Sequence, residues 1–198
     1  MIREVLFPTC VYTLDKVISK KDNSIIKKDI IKKWKETTSS NWQSESILQL
    51  EKPYKSLCDK IIEMSKQVFK EQDIQYERFE ITSMWANILT TKENFHSHTH
   101  ANNYLSGVYY VQTKNTQIHF IDPRVQSAVI RPAVNTFNKF NSSSWWLPST
   151  ENRLILFPSW LQHHVVSNHE KEPRISIAFN IMFKGKLSGL KEKEYNEF

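Results

Sequence analysis

The sequence predicts a mainly β, α+β fold: a jelly roll or β-sandwich with amphipathic helices buttressing one sheet. Three observations carry that expectation. Apolar residues recur every three to four positions in two stretches before residue 75, and helical periodicity then disappears. From Tyr76 onward, short runs rich in β-branched and aromatic residues alternate with turn-forming residues. Helices first and many strands afterwards is the order of an α+β domain rather than of repeating β-α-β units.

A chain of 198 residues is long enough for one domain with a substantial core. The expected organisation is a single domain over 1–198, with an N-terminal strand and helices in 1–75, a jelly-roll core in 76–184 and a tail in 185–198. The net charge of +6 comes from 27 basic and 21 acidic residues. Most of the basic residues are lysines interspersed with acids, without the arginine-and-aromatic patch of single-strand binders, which argues against a nucleic-acid partner. A basic balance suits anionic small molecules weakly. Cys10 and Cys58 have neither pairing nor metal spacing, and the opening MIREVLFPTC carries Glu4 and no long apolar signal region. No run approaches the ~18 apolar residues of a membrane span. The expectation is a reduced, cytoplasmic protein with no membrane role.

In order along the chain, residues 3–14 mix β-branched and apolar side chains around Pro8 and predict an early edge strand. Ile25, Ile26, Ile30, Ile31 and Trp34 predict a helix from Asp22 to about Glu36. Tyr54, Leu57, Ile61, Ile62, Met64 and Phe69 predict another over 52–71. The polar, serine-rich segment between them reads as a loop, and composition is equally compatible with a loop lying over an active site. Strands are expected at 77–90, 104–112, 116–121, 153–157, 163–167 and 173–183. Residues 131–150 have no clean period and are too long for a turn, which makes them the candidate substrate-facing loop.

Six of the seven histidines fall in two clusters, at 96, 98 and 100 and at 163, 164 and 169. Side chains two apart on a strand share a face, so either His96 with His98 or His98 with His100 could converge on one ion. Adjacent strand residues face opposite ways, so only one of His163 and His164 could join them. Three imidazoles would leave coordination positions open for chemistry. Arg174, in the apolar run EPRISIAFN, is costly to bury unless its planar fork meets an anion, either a bound carboxylate or Asp122, Glu151 or Glu172. Ser176 shares its strand face. Tyr109, Trp160, Trp145 and Trp146 are candidate walls of a substrate pocket.

Taken in order, HTH-x5-SGVYYV, IDPR, LFPSWLxHxV and RISIAFN resemble the 2-oxoglutarate and Fe(II)-dependent oxygenases, specifically a bacterial and phage branch with a prolyl-hydroxylase-like double-stranded β-helix. The resemblance covers roughly the last 110 residues. It implies Fe(II) held by His98, His100 and His163, with 2-oxoglutarate on Arg174 and Ser176 and further hydrogen bonds from Asn87 and Tyr110. It also implies hydroxylation of a small-molecule or peptide substrate with O2, in the cytoplasm (a host cell's, if phage-encoded). Oligomeric state is left open, a homodimer being compatible. One departure stands out: His100 occupies the place where the wider superfamily has Asp or Glu. Two other readings stand beside this one: a three-histidine jelly-roll metal enzyme that does not use 2-oxoglutarate, and a non-catalytic jelly-roll binding protein with a tryptophan stacking platform.

Overall fold

The computed structural model describes residues 1–37, 41–124, 126 and 129–185. The proposed tail, from residue 186 onward, lies outside the described residues. Among the described residues ten strands form two antiparallel sheets, and two α-helices cover the outer face of the larger one. The major sheet contains β1 (Tyr12–Asp15), β8 (Arg153–Pro158), β5 (Leu105–Gln112), β10 (Arg174–Lys184), β3 (Arg78–Leu89) and β2 (Asn41–Gln43), in that spatial order. The minor sheet runs β4 (Phe95–His98), β9 (His163–Val165), β6 (Gln117–Ile121), β7 (Ser144–Pro148). The expected mainly β jelly roll with helical buttresses is the fold the chain adopts.

Helix α1 (Lys20–Lys35) starts where the Ser19 hydroxyl accepts from the Asp22 amide at 3.0 Å, satisfying one orphan donor of the first turn. It buries Ile26 and Ile30, and helix α2 (Lys55–Glu71) buries Leu57, Ile61, Met64, Val68 and Phe69. These pack on the face of the major sheet that carries Met84, Ala86 and Ile88, Tyr109 and Val111, Leu154 and Leu156, and Ile175 through Phe183 at alternate positions. Between the opposite face and the minor sheet lies a smaller cluster, of Val108, Tyr110, Ile155 and Phe157 from the major sheet with Ile118 and Phe120 from β6 and Leu161 from the turn before β9.

Three expectations about elements are corrected. The N-terminal strand begins only at Tyr12: Phe7 has φ of 54°, and Pro8 follows without an amide hydrogen, so the preceding segment cannot join the ladder. The segment 131–150 is not loop throughout, because Ser144–Pro148 pairs with β6 as β7. The serine-rich connection between the helices contains β2, which pairs with β3 at Gln43 and Asn87. No helix among the described residues is long and apolar enough to cross a membrane.

Candidate metal centre

His163 opens β9 and lies directly across from His98, the last residue of β4. Their rings are 4.5 Å apart, and His100 joins them from the loop after β4, with ring centroids 5.1 Å from His98 and 5.2 Å from His163. A strand face does not bring His98 and His100 together, as the two-residue spacing suggests. His100 sits beyond the strand end, where its backbone amide donates to the Ser159 carbonyl at 3.0 Å. Ser159 is fully buried, and its hydroxyl is 2.7 Å from that of Ser106, so the turn before β9 is tied to β5 beneath the histidines.

One ring nitrogen from each of the three residues lies within 4.8 Å of the others. Ligand bonds of about 2.1 Å place neighbouring ligand atoms about 3 Å apart, so small side-chain rotations close this set around one ion. Nδ1 of His98 is 2.7 Å from the His96 carbonyl, and Nδ1 of His163 is 2.9 Å from the Leu161 carbonyl. A carbonyl only accepts, so both rings carry the proton on Nδ1 and leave the Nε2 lone pair free to bind an ion. Burial pushes the pKa of His100 and His163 down to about 4, with neighbouring histidines adding repulsion, so these two rings are neutral at physiological pH. His96 is exposed and outside the cluster. His164 faces the other side of the minor sheet, where its ring lies 4.9 Å from that of His119.

A cavity of about 100 Å³ extends from the three histidines to Arg174 at the start of β10. Asn87, Ser176 and Arg174 line it, as do Gln43, Trp85 and Phe95, which the sequence reading did not single out. Gln43 Nε2 donates to Asn87 Oδ1 at 3.0 Å, which leaves the Asn87 amide nitrogen as a donor. Arg174 is only 2 % exposed, and its Nε and Nη1 have no hydrogen-bond partner. It forms no ion pair with Asp122, Glu151 or Glu172; Asp122 pairs with Arg124 at 2.9 Å. Burial lowers the guanidinium pKa from its usual range, opposed by the nearby Tyr110 phenol. The Tyr110 ring lies 5.2 Å from the Arg174 Cζ, and its hydroxyl is buried without a partner. A buried unpaired cation costs several kcal/mol or more, roughly, so this end of the cavity is built for an anion.

The candidate pocket walls fare differently. Tyr109 faces the helices, its single hydroxyl proton shared between Asn23 Oδ1 at 2.8 Å and Asn152 Oδ1 at 3.0 Å, so it cannot reach the cavity. Trp146 pairs with His119 on the outer face of the minor sheet and is 45 % exposed. Trp145 shares the inner face with Phe120, and Trp160 is exposed in the turn before β9; neither lines the cavity. The apolar wall comes instead from Trp85, Phe95, Val108, Ile118, Phe157 and Val165.

Residues 83–180 match a family model whose description is "Putative 2OG-Fe(II) oxygenase". Among curated protein sequences none matches this chain. Solved structures with the same fold include SnoN, a non-heme α-ketoglutarate-dependent epimerase from nogalamycin biosynthesis, at 9 % identity and TM-score 0.67, covering 93 % of this chain and 83 % of that one. A prolyl-4-hydroxylase from Pseudomonas putida is 9 % identical with TM-score 0.63, covering 89 % and 94 %. HygX from Streptomyces hygroscopicus, solved with nickel and 2-oxoglutarate, is 8 % identical with TM-score 0.62, covering 88 % and 82 %.

Proposed function

We propose that this chain, which belongs to the 2-oxoglutarate and Fe(II)-dependent oxygenase superfamily, holds Fe(II) on His98, His100 and His163 and works as a hydroxylase. Its second substrate is a small molecule or a peptide. The observation that carries the reading is Arg174: a buried guanidinium with two unpartnered nitrogens, sharing one cavity with three converging imidazoles. The anion that satisfies it must fit between that cation and the ion site, as a linear dicarboxylate with a metal-binding keto acid end does.

In this reading Fe(II) and 2-oxoglutarate supply the redox chemistry, in which O2 is consumed, 2-oxoglutarate becomes succinate and CO2, and one oxygen atom enters a substrate C–H bond. The chain's own residues bind and orient. Arg174 and Ser176 hold the far carboxylate, and Tyr110 Oη is a second donor beside it. Asn87 offers its amide nitrogen to a co-substrate oxygen, because Gln43 already occupies its carbonyl. Val108, Ile118 and Phe157 exclude water along the cavity, so each hydrogen bond to the anion is worth more than at the surface. Among the described residues the cavity wall carries no carboxylate, so in this reading the keto acid end of the co-substrate is the only anion beside the dipositive ion, the far carboxylate being taken by Arg174. That is the electrostatic consequence of a histidine at position 100.

The test is succinate release from 2-oxoglutarate under air. It should require added Fe(II), vanish in His163→Ala, and need far more 2-oxoglutarate in Arg174→Ala. Turnover that is independent of Arg174 would favour the second reading, a three-histidine metal enzyme without 2-oxoglutarate. The all-imidazole ligand set is the observation that keeps it in play.

A further inference from the structure

Of the three converging histidines, His98 and His163 stand on strands and His100 does not, so its place depends on how the β4–β5 loop is fastened. Ser159 fastens that loop at two points. Its carbonyl accepts from the His100 amide at 3.0 Å, and its own amide donates to the Tyr104 carbonyl at 3.0 Å. Between those points the chain turns through Asn102, whose φ of 60° is a left-handed conformation that asparagine tolerates. Asn103 closes the turn: its Nδ2 donates to the Ala101 carbonyl at 2.9 Å, and its Oδ1 accepts from the Thr82 hydroxyl at 2.8 Å.

Ser159 is itself held by a buried polar row. Ser106 on β5, Asn180 on β10 and Ser83 on β3 stand directly opposite one another across three adjacent strands. They share the sheet face of Val108, Ala178 and Trp85, which line the histidine cavity two residues along each strand. Ser106 Oγ donates to Asn180 Oδ1 at 2.7 Å, and Asn180 Nδ2 donates to Ser83 Oγ at 2.9 Å. A hydroxyl has one hydrogen, so Ser159 is the donor in its 2.7 Å contact with Ser106. Ser159, Ser106 and Asn180 are all buried, where apolar side chains would pack at less cost. We propose that this row is a positioning device for the metal centre: Ser106 and Asn180 fix Ser159, and the Ser159 backbone holds His100 at ligand distance from His98 and His163. The inference rests on the metal site of the proposed function and not on its co-substrate. A fully paired polar row specifies one geometry, whereas apolar packing loses uniqueness before it loses stability.

The experiment measures metal binding without turnover. Co(II), a spectroscopic substitute for Fe(II), is titrated into the metal-free chain against a competing chelator, and its ligand-field absorption reports the coordination. Ser159→Ala removes one hydroxyl and leaves Ser106, Asn180 and Ser83 paired, whereas Ser106→Ala breaks the row at its centre. Ser65→Ala is the control, because that hydroxyl is also fully buried but donates at 2.7 Å to the Ile61 carbonyl within α2, on the helix side of the major sheet. Both row variants should weaken Co(II) about tenfold or more and change its spectrum. Ser106→Cys, which keeps a weak donor, should fall between Ser106→Ala and wild type. The control should hold affinity within about twofold with the spectrum unchanged. If Ser106→Ala does not fold, Ser159→Ala alone decides. A Ser159→Ala protein with wild-type affinity and spectrum, or an equal loss in Ser65→Ala, overturns the positioning role and leaves the proposed function standing. A wild-type chain that binds neither Co(II) nor Fe(II) contradicts both.

Discussion

The two faces of the major sheet are built to different rules, and β5 shows both in one strand. Leu105, Tyr109 and Val111 point to the helices, where apolar packing is dense and the Tyr109 hydroxyl has two partners. Val108 and Tyr110 point to the minor sheet, where the Tyr110 hydroxyl has none and Arg174 lies over its ring. One face carries the stability of the domain. The other keeps polar groups unsatisfied, at a cost the first face offsets, so that a ligand can satisfy them.

The largest break in that contrast comes from Arg174→Met. Removing a buried, unpaired charge should raise the melting temperature of the metal-free protein or leave it unchanged, while losing a charge-assisted pair worth about 3 kcal/mol weakens 2-oxoglutarate about a hundredfold. A thermal melt and a binding titration on the same sample read both signs.

Acid should expose the same asymmetry in the metal-free protein. His100 and His163 bind protons near pH 4 when folded and near 6.5 when unfolded, so between those values the unfolded state holds more protons. Stability is therefore full above about pH 6.5 and falls as pH drops toward 4, with each histidine shifting the unfolding equilibrium about tenfold per unit. Denaturant melts at pH 7 and pH 5 measure the loss, which His163→Ala should reduce.

Overpacking the helix-facing side comes next. A Cβ on Gly107 would press on the Phe179 ring and lie 2.7 Å from the Ile155 carbonyl, and Phe179 is fully buried. Gly107→Ala should cost about 1–3 kcal/mol in a urea melt.

The smallest and sharpest pair is Tyr109→Phe against Tyr110→Phe. The first removes a hydroxyl whose proton is shared between two amide oxygens and should cost about 1–2 kcal/mol of stability with unchanged 2-oxoglutarate affinity. The second deletes an unpartnered hydroxyl, so stability should hold or rise while affinity drops several-fold. Calorimetric melts and co-substrate titrations of the two variants check this inversion.

The same strand shows what a sequence can and cannot reveal. Amphipathic helices announce themselves because one stripe meets water, and α1 and α2 fall within two or three residues of their expected bounds. LSGVYYV is buried on both faces, so its alternation is invisible and Tyr109 and Tyr110 cannot be told apart by pattern. Strand β2 is three residues long, too short for any period, yet it brings Gln43 to the cavity through its register with Asn87. The histidine cluster was legible from local spacing, though the convergence of His100 depends on the turn at Ser159 rather than on a strand face. Trp85 and Phe95 reach the site through long-range pairing, which local sequence does not encode.

The most direct test of the central claim is an anaerobic titration of the Fe(II)-loaded protein with 2-oxoglutarate, followed by visible absorption. The account predicts a charge-transfer band that saturates at one equivalent in the wild-type chain and requires a large excess of ligand in Arg174→Met. A protein that binds one iron yet shows no band, or a band undiminished by the Arg174 substitution, would contradict it.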